Sequence, residues 1–527
     1  MKNFLYLVSN IIFLLKNFLY LPDLKKNIKI FKKIFNLKIT NPPPKKNIKK
    51  KLFIFGRVEF NQILFQIPSI YAARLNGFNV TIVLPEICLW NLILYKKIGA
   101  NSFIFYENIF FRFINKKTIP FFRRLLKGNL KYKKINLKKI ILSTLLRKEK
   151  KGLINLKKYD SKILKEIISK SIYIIDNLHF LILSKKPNYF IFEDRGYIPE
   201  GLFFEYAVNN KIDVIEFHAG HKPNLLNFKR YNKRNMTVHP FSITKKKFYQ
   251  IKSQLNYTTL KKKVFQELTE CYRNELWFSD VGTTREKKEI SKRKFLKSLN
   301  LDPRKKIACF FNHILWDATF FWGKDLFNSY QDWLVESVKM MYKKKDINWI
   351  IKCHPANVVK NFRDNSKVFA EEKVLQNHFK NLPDNIKIIP SDSTISTFSI
   401  LKFIDYCITV RGTIGIEAAC LDIPVITAGT GRYEDYGFTH NSTSKNIYLS
   451  KLKSIDKLPK LSKSQLNALA FAYVSLFTKQ IQTNVINFKF LKNKSADLKV
   501  NINHDYEGDD IHLIADWLES NKLDLLN

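Results

Sequence analysis

The sequence predicts an α/β protein built from two doubly wound domains, and three observations carry that expectation. The chain has 527 residues, more than one hydrophobic core serves well and enough for two sizeable domains with extensions. Short apolar runs rich in Ile, Val and Phe alternate with stretches of helical periodicity, the pattern of βαβ units in a parallel sheet. That alternation occurs twice, over residues 52–245 and again over 301–480, with a charged, helix-rich connection at 246–300 between them.

Residues 1–51 read as an apolar and basic extension. Residues 3–20 (NFLYLVSNIIFLLKNFLY) are strongly apolar, but Asn10, Lys16 and Asn17 interrupt them and no small-residue cleavage site follows. With lysines behind it, the run reads as an interfacial anchor on the anionic, cytoplasmic face of a membrane. A helix packed on the protein itself and a true span are the alternatives. The prolines of NPPPKKNIKKK (41–51) then break the chain.

In the first domain LFIF (52–55) reads as a strand. Gly56, a helix ending at Gly77 and a second strand (80–84) follow. Residues 108–186 read as a basic helical insertion whose lysine face is either solvated or turned to anionic lipid or an acidic glycan. The sheet resumes at YFIFE (189–193) and at 214–217, just before HAGH. The second domain has strand-like runs at IACFF, NWIIKC, IKII, YCITV and PVITA. Residues 481–527 read as a tail with one helix, DDIHLIADWLES.

Lys and Arg number 91 against 45 Asp and Glu, a formal charge of +46. That excess suits a polyanion or membrane surface, and A/T-rich codons supply Lys, Asn, Ile and Phe together. The six cysteines form no C-x-x-C pair and read as reduced, cytosolic thiols. No Cys/His cluster has zinc spacing, so no metal site is expected. P-loop and G-x-G-x-x-G motifs are absent, as are nucleic-acid-binding signatures, which removes support for ATP hydrolysis, dinucleotide chemistry and nucleic acid as partner.

Parallel sheets bind ligands beyond the carboxyl ends of their strands. In the second domain those places hold RGTIGIEAACLDIPVI, where Arg411, Gly412, Thr413, Gly415 and Glu417 open a helix after YCITV. A helix N-terminus receives anions, and Glu417 can accept from ribose hydroxyls. His354-Pro355 follows NWIIKC. Ser393 and Ser396 lie in SDSTIST, where they either cap a helix or bind phosphate. His313, Trp316 and Asp317 lie in FFNHILWDATFFWG, suited to a phosphate and a sugar. In the first domain Arg57 and Glu59 follow the first strand and stand as acceptor or sugar contacts. Glu193, Asp194 and His218 follow later strands and are candidate general bases.

Taken together, KKIACFFNHILWDATFFWG, the helix around Asp332-Trp333-Leu334, WIIKCHPAN and IDYCITVRGTIGIEAACLDIPVITAGTGRYEDYGFT resemble the capsule polysaccharide biosynthesis family of GT-B glycosyltransferases, over roughly residues 300–440. The resemblance implies two Rossmann-like domains facing a cleft, a nucleotide-sugar as substrate with no cofactor, and a polysaccharide or glycolipid acceptor. It places the donor near His313, His354, Arg411, Thr413 and Glu417, with histidines and helix dipoles in place of a metal. Nucleotide-sugar 2-epimerases share the architecture, and a basic membrane- or polyanion-binding protein on such a scaffold is the non-enzymatic reading.

Overall fold

A computed structural model describes residues 11, 24–43, 50–107, 118–128, 130–277, 287–317, 320–363, 365, 369–503 and 508–526. The expected anchor at 3–20 lies outside the described residues, Ile11 excepted.

The first sheet is assembled from β1 (Lys51–Phe55), β2 (Asn79–Leu84), β3 (Ser102–Phe105), β4 (Tyr189–Phe192), β5 (Asp213–Ala219) and β6 (Leu225–Tyr231). Its order is β6-β5-β4-β1-β2-β3, parallel except for the β5–β6 pair. Because side chains alternate across a strand, the sheet feeds two apolar layers. Leu52 and Ile54 pack into one with the helix Ile67–Leu75. Phe53 and Phe55 pack into the other with the helices Leu137–Glu149, Ser161–Leu181 and Glu200–Asn209. Each large apolar side chain withdrawn from water contributes about 1.5–3 kcal/mol.

The region read as a basic insertion is therefore, in its described part, one of the two layers covering the sheet. Ser161–Lys185 is the one described stretch of helix long and apolar enough to cross a membrane, but Leu164, Ile168, Ile172 and Ile175 hold it in the core. Strand β6 escaped the sequence reading because LLNFKRY is charged. Lys229 and Arg230 are buried, and Lys229 pairs with Asp524 at 2.8 Å.

The second sheet comprises β7 (Lys306–Phe311), β8 (Ile347–Lys352), β9 (Ile386–Ile389), β10 (Tyr406–Thr409) and β11 (Val425–Thr427). It is fully parallel in the order β11-β10-β7-β8-β9. Phe248, Leu260 and Val264 share its core with Ile307, Cys309 and Cys407. The expected connection at 246–300 thus forms part of the second domain.

The chain then returns. Strand β12 (Gln480–Gln482) joins the outer edge of β6 antiparallel. The hairpin β13 (Ile486–Phe490) and β14 (Leu498–Ile502) follows, and then the helix Asp509–Glu519. Ile511, Ile514, Trp517 and Leu518 of that helix fill the first domain's core. Residues 480–526 therefore complete the first domain and are not a free tail. The described part of the N-terminal extension is docked as well. The helix Leu24–Asn36 buries Ile34, and Lys97 Nζ donates to the Ile34 carbonyl at 2.8 Å. The molecule is a pair of Rossmann-like α/β domains facing a cleft.

Candidate functional site

In each sheet the connections run outward in both directions from one central pair of strands, β7 and β10 in the second domain and β1 and β4 in the first. Such reversals leave a crevice beyond the strand ends, where open α/β sheets bind ligands.

The crevice beyond β7 and β10 opens into a cavity of about 450 Å³ between the domains. Its second-domain wall carries Asn312, His313, Lys352, His354, Gly412, Thr413, Glu417 and Arg432, and its first-domain wall His221, His239, Phe241 and Gln480. The sequence-predicted His313, His354, Gly412, Thr413 and Glu417 are thus brought to one place. The helix Thr413–Cys420 points its N-terminus there with no side-chain cap, which leaves backbone N–H groups and the positive dipole end for an anion.

The histidines on this wall are neutral. Burial and the nearby cations lower His354 to about 4 and His313 to about 3. The Ala356 amide donates to His354 Nδ1 at 3.3 Å. Only an unprotonated nitrogen accepts, so the ring proton sits on Nε2 and that atom is a fixed donor. Among the described residues, Asn312 is buried with neither side-chain polar atom bonded, and His313 Nε2 and Arg432 Nε are likewise buried without a partner. Buried polar groups are nearly always bonded, so their concentration on one wall marks a surface shaped for a polar ligand.

Arg432 lines the cavity where the sequence reading expected Arg411. Arg411 does not reach the cavity. Its guanidinium is buried against Asp325, Tyr330 Oη and the Thr430 carbonyl, and it fixes the loop after β11. Arg432 Nη1 donates to the Arg411 carbonyl at 3.2 Å, and burial with too little compensating charge lowers its pKa to about 10. Arg432 lies within the stretch PVITAGTGRYEDYGFT, but the sequence reading does not single it out there, because it sits in a loop and not at a strand end. Lys352 is a second buried cation, pushed down by burial and, among the described residues, bonded only to the Cys353 carbonyl at 3.0 Å.

Gly415 serves packing rather than a ligand. A Cβ there would lie 2.4 Å from Tyr433 Oη, whose hydroxyl donates to the Gly412 carbonyl. Ser396 caps the helix Thr397–Phe403, and Ser393 Oγ accepts from the Ile395 amide. Neither serine lines the cavity, although Thr397 does. Burial raises the Glu417 carboxyl, and Tyr272 Oη donates to it from the helix Tyr257–Arg273. Tyr272 stacks on Phe398 with ring centroids 5.3 Å apart.

At the first domain's crevice, Arg57 holds Glu193 at 3.3 Å and Glu200 at 2.6 Å. Gln66 Nε2 also donates to Glu193, and Asp194 Oδ1 accepts the Arg195 and Gly196 amides. Glu193 and Asp194 are therefore engaged in an ion pair and a turn. Glu200, which the sequence reading passed over, is raised by burial to about 7 despite Arg57. His218 lies 3.6 Å from the buried Glu216 and behind Phe241, off the cavity wall. Glu59 is exposed and forms no part of the cluster. Asp317 and Trp316 tie the domains together. Asp317 accepts from Tyr197 Oη at 2.6 Å and pairs with Lys360 at 2.5 Å, while Lys150 Nζ lies 4.1 Å over the Trp316 ring.

No protein-family model matches the chain, and no curated protein matches its sequence. Solved structures similar to it include KpsC, the β-Kdo 2,4 transferase of Thermosulfurimonas dismutans. It is 12% identical over 55% of this chain and 79% of that one, with a TM-score of 0.32. A glycosyltransferase from Rickettsia africae is 10% identical over 82% and 95% of the two chains, with a TM-score of 0.29. MnaA of S. aureus, solved with UDP, is 15% identical over 81% and 92%, with a TM-score of 0.27.

Proposed function

We propose that this protein transfers a sugar from a nucleotide-activated donor to a surface polysaccharide or its lipid-linked acceptor. One observation carries the reading. A cavity at the switch point of one Rossmann-like domain, walled by a second, gathers Arg432, Lys352, two neutral histidines and an uncapped helix N-terminus. Those groups suit a phosphate. His354 Nε2–H, Arg432 and the helix amides stabilise the charge that grows on the leaving phosphate as the glycosidic bond breaks. Glu417 accepts from ribose hydroxyls once Tyr272 yields. The acceptor approaches from the first domain, where Glu193, Asp194 and Glu200 gather beside Arg57. Glu200, raised by burial to about 7, suits a general base.

The protein works at the inner face of the cytoplasmic membrane. On the helix Leu24–Asn36, Ile28 and Phe35 are exposed beside Lys29, Lys32 and Lys33, an arrangement suited to an anionic interface.

The test is a thermal-shift screen of CMP, UDP, UMP, GMP and GDP, followed by turnover with the matching nucleotide-sugar. A native-state ligand at a hundredfold excess over Kd adds about 2.7 kcal/mol of apparent stability. Nucleotide release that requires an acceptor supports transfer. Conversion of the sugar without an acceptor identifies an epimerase, and no binding by any nucleotide overturns the proposal.

A further inference from the structure

The sequence holds two His-Pro dipeptides, one in each domain: His239-Pro240 and His354-Pro355. They fold alike. The Phe241 amide donates to His239 Nδ1 at 3.1 Å, as the Ala356 amide does to His354 Nδ1 at 3.3 Å. In both, the residue two positions on locks the tautomer, and Nε2 is left as the protonated nitrogen. Both rings line the same interdomain cavity.

His239 is also placed from across the cleft. Its own amide donates to the carbonyl of Gly431, in the second domain, at 2.8 Å. Gly431 immediately precedes Arg432, and burial together with the Arg432 charge holds the His239 imidazole well below its usual pKa. A neutral ring beside a buried, under-compensated guanidinium is a donor arrangement and suits neither a base nor a cation site. Phe241, next in the same turn, lies under Arg432 with 5.8 Å from the guanidinium carbon to the ring centroid. Trp322 packs 5.2 Å from the His239 ring on another side.

We infer that His239, delivered from the first domain, is a phosphate-binding donor of this cavity and forms with Arg432 and the His354 turn a clamp that closes across the cleft on the phosphate of the nucleotide. The inference rests on the proposed function and deepens it. The second domain alone presents an incomplete anion site, and the phosphate itself becomes a contact that holds the two domains together. His239 Nε2 donates to a phosphate oxygen and moves no proton.

Two substitutions separate this role from a structural one. His239→Asn keeps an acceptor for the Phe241 amide and, with its amide nitrogen set back on a shorter side chain, removes the donor at the reach of Nε2. His239→Gln sacrifices the local acceptor and restores an N–H donor at the reach of Nε2. Calorimetry on the full-length protein would use uridine, cytidine and guanosine, each as nucleoside, monophosphate and diphosphate.

The expected result for His239→Asn is a loss of affinity for the preferred phosphorylated ligand of about tenfold or more. Affinity for the bare nucleoside and the ligand-free melting temperature should not change. His239→Gln should recover most of the loss. Equal phosphate affinity in His239→Asn and the native protein, with nucleotide still bound, overturns the clamp and leaves the nucleotide-sugar reading standing. Equal losses for nucleoside and nucleotide, unrescued by His239→Gln, identify a structural residue and also overturn it. Absence of nucleotide binding by the native protein overturns the reading and the clamp together.

Discussion

Arg432 shows at the scale of one residue how function and stability conflict. A buried guanidinium with too little compensating charge costs several kcal/mol of desolvation that its neighbours do not return. We predict that Arg432→Met raises the melting temperature of the ligand-free protein while weakening nucleotide binding by about 1.5–3 kcal/mol, the range for hydrogen bonds to charged groups. Scanning calorimetry and titration of the same variant check both halves, and a variant that is less stable yet binds normally contradicts the assignment. The buried histidines give a second prediction. His313 and His354 fall from 6.5 to about 3 and about 4 on folding. The unfolded chain therefore binds protons that the folded one refuses. That contribution to stability is present above pH 6.5 and is lost as the pH falls toward 4. His354→Asn, which keeps the acceptor for the Ala356 amide, should flatten the decline of melting temperature over that window. An unchanged slope means that His354 is not held neutral by the fold.

At the scale of elements, the helix Thr413–Cys420 meets the helix Tyr257–Arg273 through the Tyr272–Glu417 hydrogen bond. Tyr272 occupies the carboxylate that ribose hydroxyls would use. Tyr272→Phe keeps the stack on Phe398 and removes the competitor. We expect the ligand-free protein to lose about 1–3 kcal/mol, the range for removing a hydrogen bond to a buried carboxyl group, which then keeps Thr413 as a partner. The rise in melting temperature on adding nucleotide should exceed that of the native protein. A smaller rise would show that the hydroxyl assists binding. Other elements changed their apparent roles on folding. The lysine-rich segment 108–186 reads as an insertion with a basic face, solvated or turned to anionic lipid or an acidic glycan, yet its described helices send Ile and Leu into the core of the first sheet, as Ile140, Ile141, Leu164 and Ile168 do. Its charge excess had masked a core layer, much as Lys229 and Arg230 masked β6.

Over the whole molecule, a formal charge of +46 favours an anionic surface, and each Lys or Arg near such a surface adds about 1 kcal/mol. We predict binding to phosphatidylserine vesicles that falls steeply with salt. Ile28→Glu combined with Phe35→Glu should weaken it without lowering the melting temperature, because both side chains are exposed. Sedimentation of the full chain with vesicles is the measurement, and undiminished binding by the double variant removes the helix Leu24–Asn36 from the interface. Removing residues 24–43 is a poorer test, since Ile34 and Pro42 are buried.

The sequence by itself determined the second sheet, the strands β1, β2, β4 and β5 of the first, and the strand ends where Gly412, Thr413, Glu417, His313 and His354 meet, because alternation of apolar runs and punctuation by Gly and Pro are local properties. Only the tertiary structure decided that Arg432 and not Arg411 faces the cavity, that the chain's end completes its first domain, and that His239 crosses the cleft. Each depends on which distant segments pack together, as Gly431 does with His239 and Asp524 with Lys229. A buried charge or a loop side chain is oriented by partners far away in the chain, and no local pattern records them.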